Sequence, residues 1–296
     1  MGHGKLKKFA ENETFRCLLQ PDASQVLAAK EPGSKALRLC DHPIKGRWGA
    51  DLFGNDHPIV LELGCGKGDY TIALALRHPE INYIGVDIKG ARLWKGAKYA
   101  TENALPNVAF LRTRIEFIEA FFGPGEVSEI WLTFSDPQLR GSENSRLSSP
   151  LFLERYRKFL KPEGIIHLKT DSRYLYEYTQ AVCKVNDLPI LASGTDIYHF
   201  GIEECPEILR RSAPQDDKTV ILSEAKNLRI DEKCVFEVQT FYEKMFLEMG
   251  LPITYMAFTI GHEGPYEFPG EAFDHEYWLE AEGPRRSFSH QPAKRG

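Results

Sequence analysis

Five short apolar runs, evenly interleaved with helix-length segments, constrain this chain more than any other feature. The runs are Ile59 to Leu63, Tyr83 to Asp87, Val108 to Leu111, Ile130 to Phe134 and Ile165 to Leu168. Each is four or five residues long and rich in β-branched or aromatic side chains, as strands buried on both faces are. Helical patterns fill the spaces from Tyr70 to His78, Gly90 to Asn103 and Pro150 to Leu160. The last opens on Ser148-Ser149-Pro150, a capping serine followed by proline in the first turn. This alternation predicts an α/β fold, a mostly parallel, doubly wound sheet with helices on both faces. In such sheets ligands bind beyond the carboxyl ends of the strands, where the strand order reverses.

A chain of 296 residues can bury a sizeable core without staples, and 42% apolar with 27% charged residues excludes wholesale disorder. Cys17, Cys40, Cys65, Cys183, Cys205 and Cys234 form no C-x-x-C pair and no zinc-type spacing with histidine, so no metal is expected. They point to a reducing setting. No apolar stretch approaches the roughly 18 to 20 residues of a membrane span, and the first residues lack a secretory apolar run. Leu6 stands where a myristoylation motif needs Ser or Thr. A cytoplasmic location is the expectation.

The net charge of −5 argues against a strongly basic nucleic-acid binder, but the acidity is local. Residues 203–234 hold eight acids against six bases and residues 261–296 seven against four, which leaves the remainder neutral. The organisation is read as an N-terminal extension over 1–50, partly basic, a central domain over 51–260 interrupted by a charged insertion at about 203–234, and an acidic, Pro- and Gly-rich tail over 261–296. Insertion and tail are expected to be mobile surface additions. The tail aromatics Tyr266, Phe268, Phe273, Tyr277 and Trp278 speak for docking instead.

The first run ends Glu62-Leu63-Gly64-Cys65-Gly66-Lys67-Gly68-Asp69. Glycines let a backbone turn tightly and approach a ligand, with a helix N-terminus just beyond. The phosphate-loop pattern fails because Gly68 follows Lys67, and the dinucleotide pattern fails because the spacing is G-x-G-x-G. The arrangement E-x-G-x-G-x-G resembles the first motif of S-adenosylmethionine-dependent methyltransferases. That resemblance implies a glycine loop around the methionine part of the cofactor, with Glu62 answering its cationic amino group. A plain tight turn is the alternative, and it leaves a carboxylate at the end of a buried strand in need of a partner. Asp87 closes the second run, 19 residues after Gly68, where a carboxylate can accept from both ribose hydroxyls or cap the next helix. The fourth run leads into Ser135-Asp136-Pro137, by itself a common turn.

Taken with IWLTFSDP, RLSSPLFLERYRKFLKPEGIIHLKTDS, TFYEKMFLEMGLPITY and the opening KLKKFAENETF, the chain resembles the tRNA (guanine-N7-)-methyltransferase family. The matching segments run from about Lys5 to Ile260, apart from the insertion. The resemblance implies a Rossmann-like class I methyltransferase fold with an antiparallel last strand, S-adenosyl-L-methionine as cofactor and tRNA as partner. Carried over residue by residue, it assigns Glu62, Gly64, Gly66, Gly68 and Asp87 to the cofactor and Asp136 to catalysis. It assigns Arg140, Asp171, Thr240, Tyr242 and Glu243 to the tRNA or its target base. Where many members place an acid near the adenine, this chain has Arg114, with Glu116 two residues on, so a backbone contact at Arg114 or the side chain of Glu116 is expected there. Plainer readings stand beside these. Asp171 can N-cap the helix starting near Ser172, and Thr240 and Glu243 have capping-box spacing. After Asp136-Pro137 many members carry Trp-Pro-Lys-Lys; here Gln138-Leu139-Arg140-Gly141 keeps one cation, without the shape of a lysine.

Guanine N7 already exposes a lone pair, so attack on a sulfonium methyl needs alignment and electrostatics and no nucleophilic side chain. Affinity for tRNA is expected from local bases, with Lys5, Lys7, Lys8, Arg140, Arg146, Arg155, Arg157 and Lys158 as candidates. A monomer or homodimer is expected. Two alternatives remain open at this stage. One is an S-adenosylmethionine-dependent methyltransferase acting on another substrate; the other is a non-catalytic RNA-binding subunit that keeps the fold.

Overall fold

The computed structural model describes residues 3–28, 38–204 and 232–286. Its strands are β1 (Leu18–Leu19), β2 (Ile59–Leu63), β3 (Asn82–Asp87), β4 (Val108–Arg112), β5 (Val127–Thr133), β6 (Leu160–Thr170), β7 (Ile190–Gly194), β8 (Glu203–Glu204) and β9 (Thr254–Thr259). They form one sheet in the order β1-β4-β3-β2-β5-β6-β9-β7-β8. β2 lies between β3 and β5 and is parallel to both, so the winding starts at β2, runs outward through β3 and β4, and returns to its other side at β5. That reversal is the topological switch point, with β6 parallel beyond β5. β9 inserts antiparallel between β6 and β7, so the last strand is antiparallel as expected, and the short edge strand β8 is antiparallel to β7.

Successive side chains of a strand point to opposite faces, and both faces here are packed. Leu61, Leu63, Ile130, Leu132, Ile166 and Leu168 join Phe152, Tyr156, Tyr174 and Val182 of α4 (Pro150–Tyr156) and α5 (Arg173–Val185). Val60, Phe110, Trp131 and Tyr255 join Tyr70, Leu74, Leu93 and Ala97 of α2 (Asp69–Arg77) and α3 (Gly90–Glu102) on the other face. Burial on both sides explains why the runs read as continuous apolar stretches and do not alternate.

The structure differs from the expectation at several points. α4 ends at Tyr156, four residues early, because the Val127 amide already bonds the Phe159 carbonyl at 3.1 Å as β6 begins. The described parts of the N-terminal extension pack on the central domain. α1 (His3–Asn12) packs on α3, with Asn12 Nδ2 donating to the Gly90 carbonyl at 3.0 Å, and Trp48 is fully buried, its Nε1 donating to the Phe121 carbonyl at 2.8 Å. The tail docks through residue 282. Tyr266 and Phe273 lie in the α4–α5 core, Arg157 donates to the Gly264 carbonyl at 2.7 Å, and Asn186 exchanges two hydrogen bonds with the Glu267 backbone. Most of the charged insertion, 205–231, lies outside the described residues. Among the described residues no helix is long and apolar enough to cross a membrane.

Candidate active site

Four loops meet at the carboxyl ends of β2, β3, β5 and β6. In the loop after β2, Gly64, Gly66 and Gly68 have φ of 82°, 59° and 74°, a left-handed backbone that disfavours any side chain. Their surroundings divide them. A side-chain carbon at Gly64 or Gly66 would meet no heavy atom within 4 Å, whereas one at Gly68 would lie 2.5 Å from Phe110 Cε1. Gly64 and Gly66 therefore line an open cradle, while Gly68 lets α2 pack against Phe110 and Gly96. At Gly68 the absence of a side chain is thus explained by packing. The cradle is held from below, as the Gly64 and Cys65 amides both donate to the Val86 carbonyl, at 2.8 and 3.0 Å.

Asp87 ends β3 facing this loop. Its carboxylate accepts from the Gly66 amide at 3.0 Å and the Lys89 amide at 2.7 Å, one bond per oxygen, which leaves acceptor capacity on each. Glu62, one residue before the end of β2, points to the α2 face and is buried. One oxygen accepts from the Thr71 amide at 2.8 Å and from its hydroxyl; the other accepts from the Thr133 hydroxyl at 2.6 Å. Glu62 thereby ties β2, β5 and the first turn of α2 together across the switch point. Among the described residues it has no cationic partner. Burial pushes its carboxyl up to about 7, against the opposing pull of the threonine hydrogen bonds. A buried carboxylate answered only by neutral donors, beside an open glycine cradle, fits a ligand that brings a positive charge.

β5 stops at Thr133 because the next residue turns. Phe134 adopts φ of 50°, its amide bonding the Lys169 carbonyl at 2.8 Å, and Gln138 adopts φ of 51°. Two non-glycine residues in that region within five positions mark a loop whose shape is imposed by its surroundings. Between them Asp136 is exposed, its Oδ1 accepting from the Gln138 amide at 2.9 Å, and the buried Ser135 hydroxyl has no hydrogen-bond partner among the described residues. Arg140 is exposed. Arg146, expected on the surface, is instead buried. Its guanidinium donates to the carbonyls of Pro137 at 3.1 Å and Gln138 at 3.3 Å and to the Tyr174 hydroxyl.

At the end of β6, Asp171 is half-buried and Ser172, not Asp171, caps α5, accepting from the Leu175 amide at 3.1 Å. The helix Phe241–Glu248 starts with the capping box that its spacing predicted, Thr240 accepting from the Glu243 amide at 3.1 Å. Glu243, expected to face the substrate, is fully buried and forms an ion pair of 2.6 Å with the equally buried Lys169, while Tyr198 donates to it at 2.7 Å. The physical reason is Lys169 itself, an ammonium inside the protein that requires a carboxylate; its Nζ also donates to the carbonyls of Val235 and Val238. This pair fastens the segment 235–243 to the sheet and leaves Phe241 and Tyr242 exposed, with Lys67 of the glycine loop 4.8 Å over the Phe241 ring.

Arg114 and Glu116, each expected near an adenine, pair with one another at 3.1 Å. The helix bases are also engaged: Arg155 and Lys158 with Glu119, and Arg157 with Glu154. Of the N-terminal lysines, Lys7 pairs weakly with Glu11 at 3.9 Å and Lys8 lies over Trp94. Sequence reasoning missed Lys169, whose neighbours in HLKTDS hide its burial, and Ile88, an apolar side chain 53% exposed immediately after Asp87. Among the described residues no grouping of three or more His, Cys, Asp or Glu could hold a metal ion.

Residues 56–196 match a family model described as "Putative methyltransferase". The chain is 42% identical over 269 residues, 91% of its length and 90% of the relative's, to the tRNA (guanine-N(7)-)-methyltransferase of Bacteroides thetaiotaomicron. It is 44% identical to the protein of that name in Christiangramia forsetii, covering 86% of this chain and 97% of that one. For the Porphyromonas gingivalis protein the identity is 46%, over 74% of this chain and 78% of the relative.

Proposed function

Since this chain belongs to the tRNA (guanine-N(7)-)-methyltransferase family, we propose that it transfers a methyl group from S-adenosyl-L-methionine to N7 of a guanine in the variable loop of tRNA. The observation that carries this reading is the meeting of an open glycine cradle and an exposed carboxylate at one switch point. When bound, S-adenosyl-L-methionine supplies an electrophilic methyl on a sulfonium centre. The guanine N7 lone pair takes that methyl, the sulfonium becomes a thioether, and the purine becomes cationic without losing a proton.

The residues divide the work accordingly. Gly64 and Gly66 admit the methionine portion against bare backbone, and the Glu62 carboxyl answers its ammonium group. The free acceptor capacity of Asp87 suits the two ribose hydroxyls, and Ile88 offers the adenine an apolar face. Asp136 accepts from the guanine N1 and N2 hydrogens and opposes the positive charge that develops on the ring, an effect confined to the transition state and product. Tyr242, Thr240, Asp171 and Arg140 receive the base and its phosphates. A guanine engaged in tertiary pairing must first be exposed, and the exposed Phe241 and Tyr242 rings suit a base taken out of its stack. Such a reaction proceeds where tRNA is found, in the cytoplasm, by a monomer or a homodimer.

Incubating the protein with tRNA and methyl-labelled S-adenosyl-L-methionine, then digesting to nucleosides for mass spectrometry, tests the proposal. The expected product is labelled 7-methylguanosine from the variable loop. Label on another nucleoside, or none on tRNA, overturns it.

A further inference from the structure

The loop that carries Asp136 contains two left-handed non-glycine residues, and such a conformation persists only when neighbouring groups over-determine it. The buried Arg146 is the group that does so, with its donors on the Pro137 and Gln138 carbonyls. Its guanidinium lies between two rings of α5, 5.0 Å from Tyr174 and 4.6 Å from Tyr178, and donates to the Tyr174 hydroxyl. Tyr174 is in turn held from outside the central domain. His275 Nδ1 bonds its hydroxyl, Phe273 sets its ring edge-on at 5.0 Å, and Glu282 accepts from its backbone amide at 2.5 Å. That amide is one of the donors a helix N-terminus leaves without an internal partner, and a carboxylate there is further favoured by the helix dipole. Glu282 is buried in doing so.

We propose that the C-terminal segment from Phe273 to Glu282 is a positioning element of the active site, acting through Tyr174 and Arg146 to hold Asp136 in place. This rests on the reading of Asp136 as the catalytic carboxylate. Arg146, Tyr174, His275 and Glu282 are positioning residues, since each acts on the reacting groups only through the next. The acidic tail is thus built into the site, which accounts for aromatic residues in a segment otherwise rich in acid, proline and glycine.

The test uses the full chain. Hydrogen–deuterium exchange is followed at the Gln138 and Gly141 amides in the wild type and in Glu282→Ala, His275→Ala, Tyr174→Phe and Arg146→Lys. Exchange at these amides is expected to quicken about tenfold or more in each, the scale of losing one buried charge-assisted hydrogen bond. Amides of the central strands should keep their rates. Glu282→Gln, which can still accept from the Tyr174 amide, restores the wild-type rate, and Phe268→Ala in the exposed part of the tail changes nothing. In parallel, kcat for methyl transfer falls by a similar factor while the Kd for S-adenosylhomocysteine stays within about twofold. Should Glu282→Ala fail to fold, Tyr174→Phe, which removes one hydroxyl, decides alone. Unchanged exchange at 138–141 in every folded variant overturns the proposal. A wild type inactive on tRNA overturns the functional reading instead and leaves the exchange result to stand by itself.

Discussion

Glu62→Gln links stability to function most directly. In the ligand-free chain the Glu62 carboxyl is pushed from its ordinary 4.5 to about 7 by burial. Between those values the folded chain retains a proton that the unfolded chain has released, so rising pH favours unfolding over this window. At 1.36 kcal/mol per unit, the whole shift amounts to about 3 kcal/mol, most of which falls between pH 5 and pH 8. The Glu62→Gln variant keeps an acceptor for the threonine hydroxyls and has no proton to lose. Urea unfolding at pH 5 and pH 8 should therefore show wild type losing about 2–3 kcal/mol more than the variant, and the variant should be the more stable protein at pH 8. Binding of S-adenosyl-L-methionine inverts the comparison. An ammonium group beside Glu62 favours its ionised form, so wild type releases a proton on binding at pH 6.5, a release that calorimetry in buffers of different ionisation enthalpy detects. The variant should bind at least about tenfold more weakly, as expected when a charge-assisted hydrogen bond is lost. Parallel pH dependences in the two proteins would refute the assignment of a ligand-directed, strained carboxylate.

Asp136→Ala should lower kcat for methyl transfer by about a hundredfold or more while the Kd of S-adenosylhomocysteine changes little, measured by single turnover and calorimetry; equal loss of both would remove Asp136 from catalysis. Gly66→Ala should weaken binding of the methyl donor with a stability cost of about 1–2 kcal/mol, from left-handed backbone alone. Gly68→Ala adds overpacking on Phe110 and should cost about 1–3 kcal/mol more in urea unfolding. Lys169→Met strands a buried carboxylate and should cost about 3–5 kcal/mol, whereas pairing it with Glu243→Gln recovers much of that loss.

The strands and helices around the switch point were legible because their evidence is local. Ile59 to Leu63 can only be a buried strand, and glycines at 64 and 66 after it can only serve a turn with left-handed backbone. Asp87 stood out by its place at a strand end, whereas Asp136 was singled out by the family resemblance of the residues around it. The interior polar groups were not legible. Arg146 was expected to contact tRNA and Lys169 was passed over, since nothing nearby in sequence announces that Tyr174 or Glu243 will enclose them. Tyr174 and Glu282 are 108 residues apart and meet only after the chain has passed through β7, β8 and β9.

What the sequence determined by itself, then, is the α/β layering, the cradle after β2 and the carboxylate after β5, because hydrophobic period and backbone stereochemistry act over a few residues. Only the tertiary structure decided which charges are buried and which are exposed, and that the tail packs on α4 and α5 through residue 282. The desolvation of a charge depends on everything packed around it, and that environment exists only once distant segments have come together.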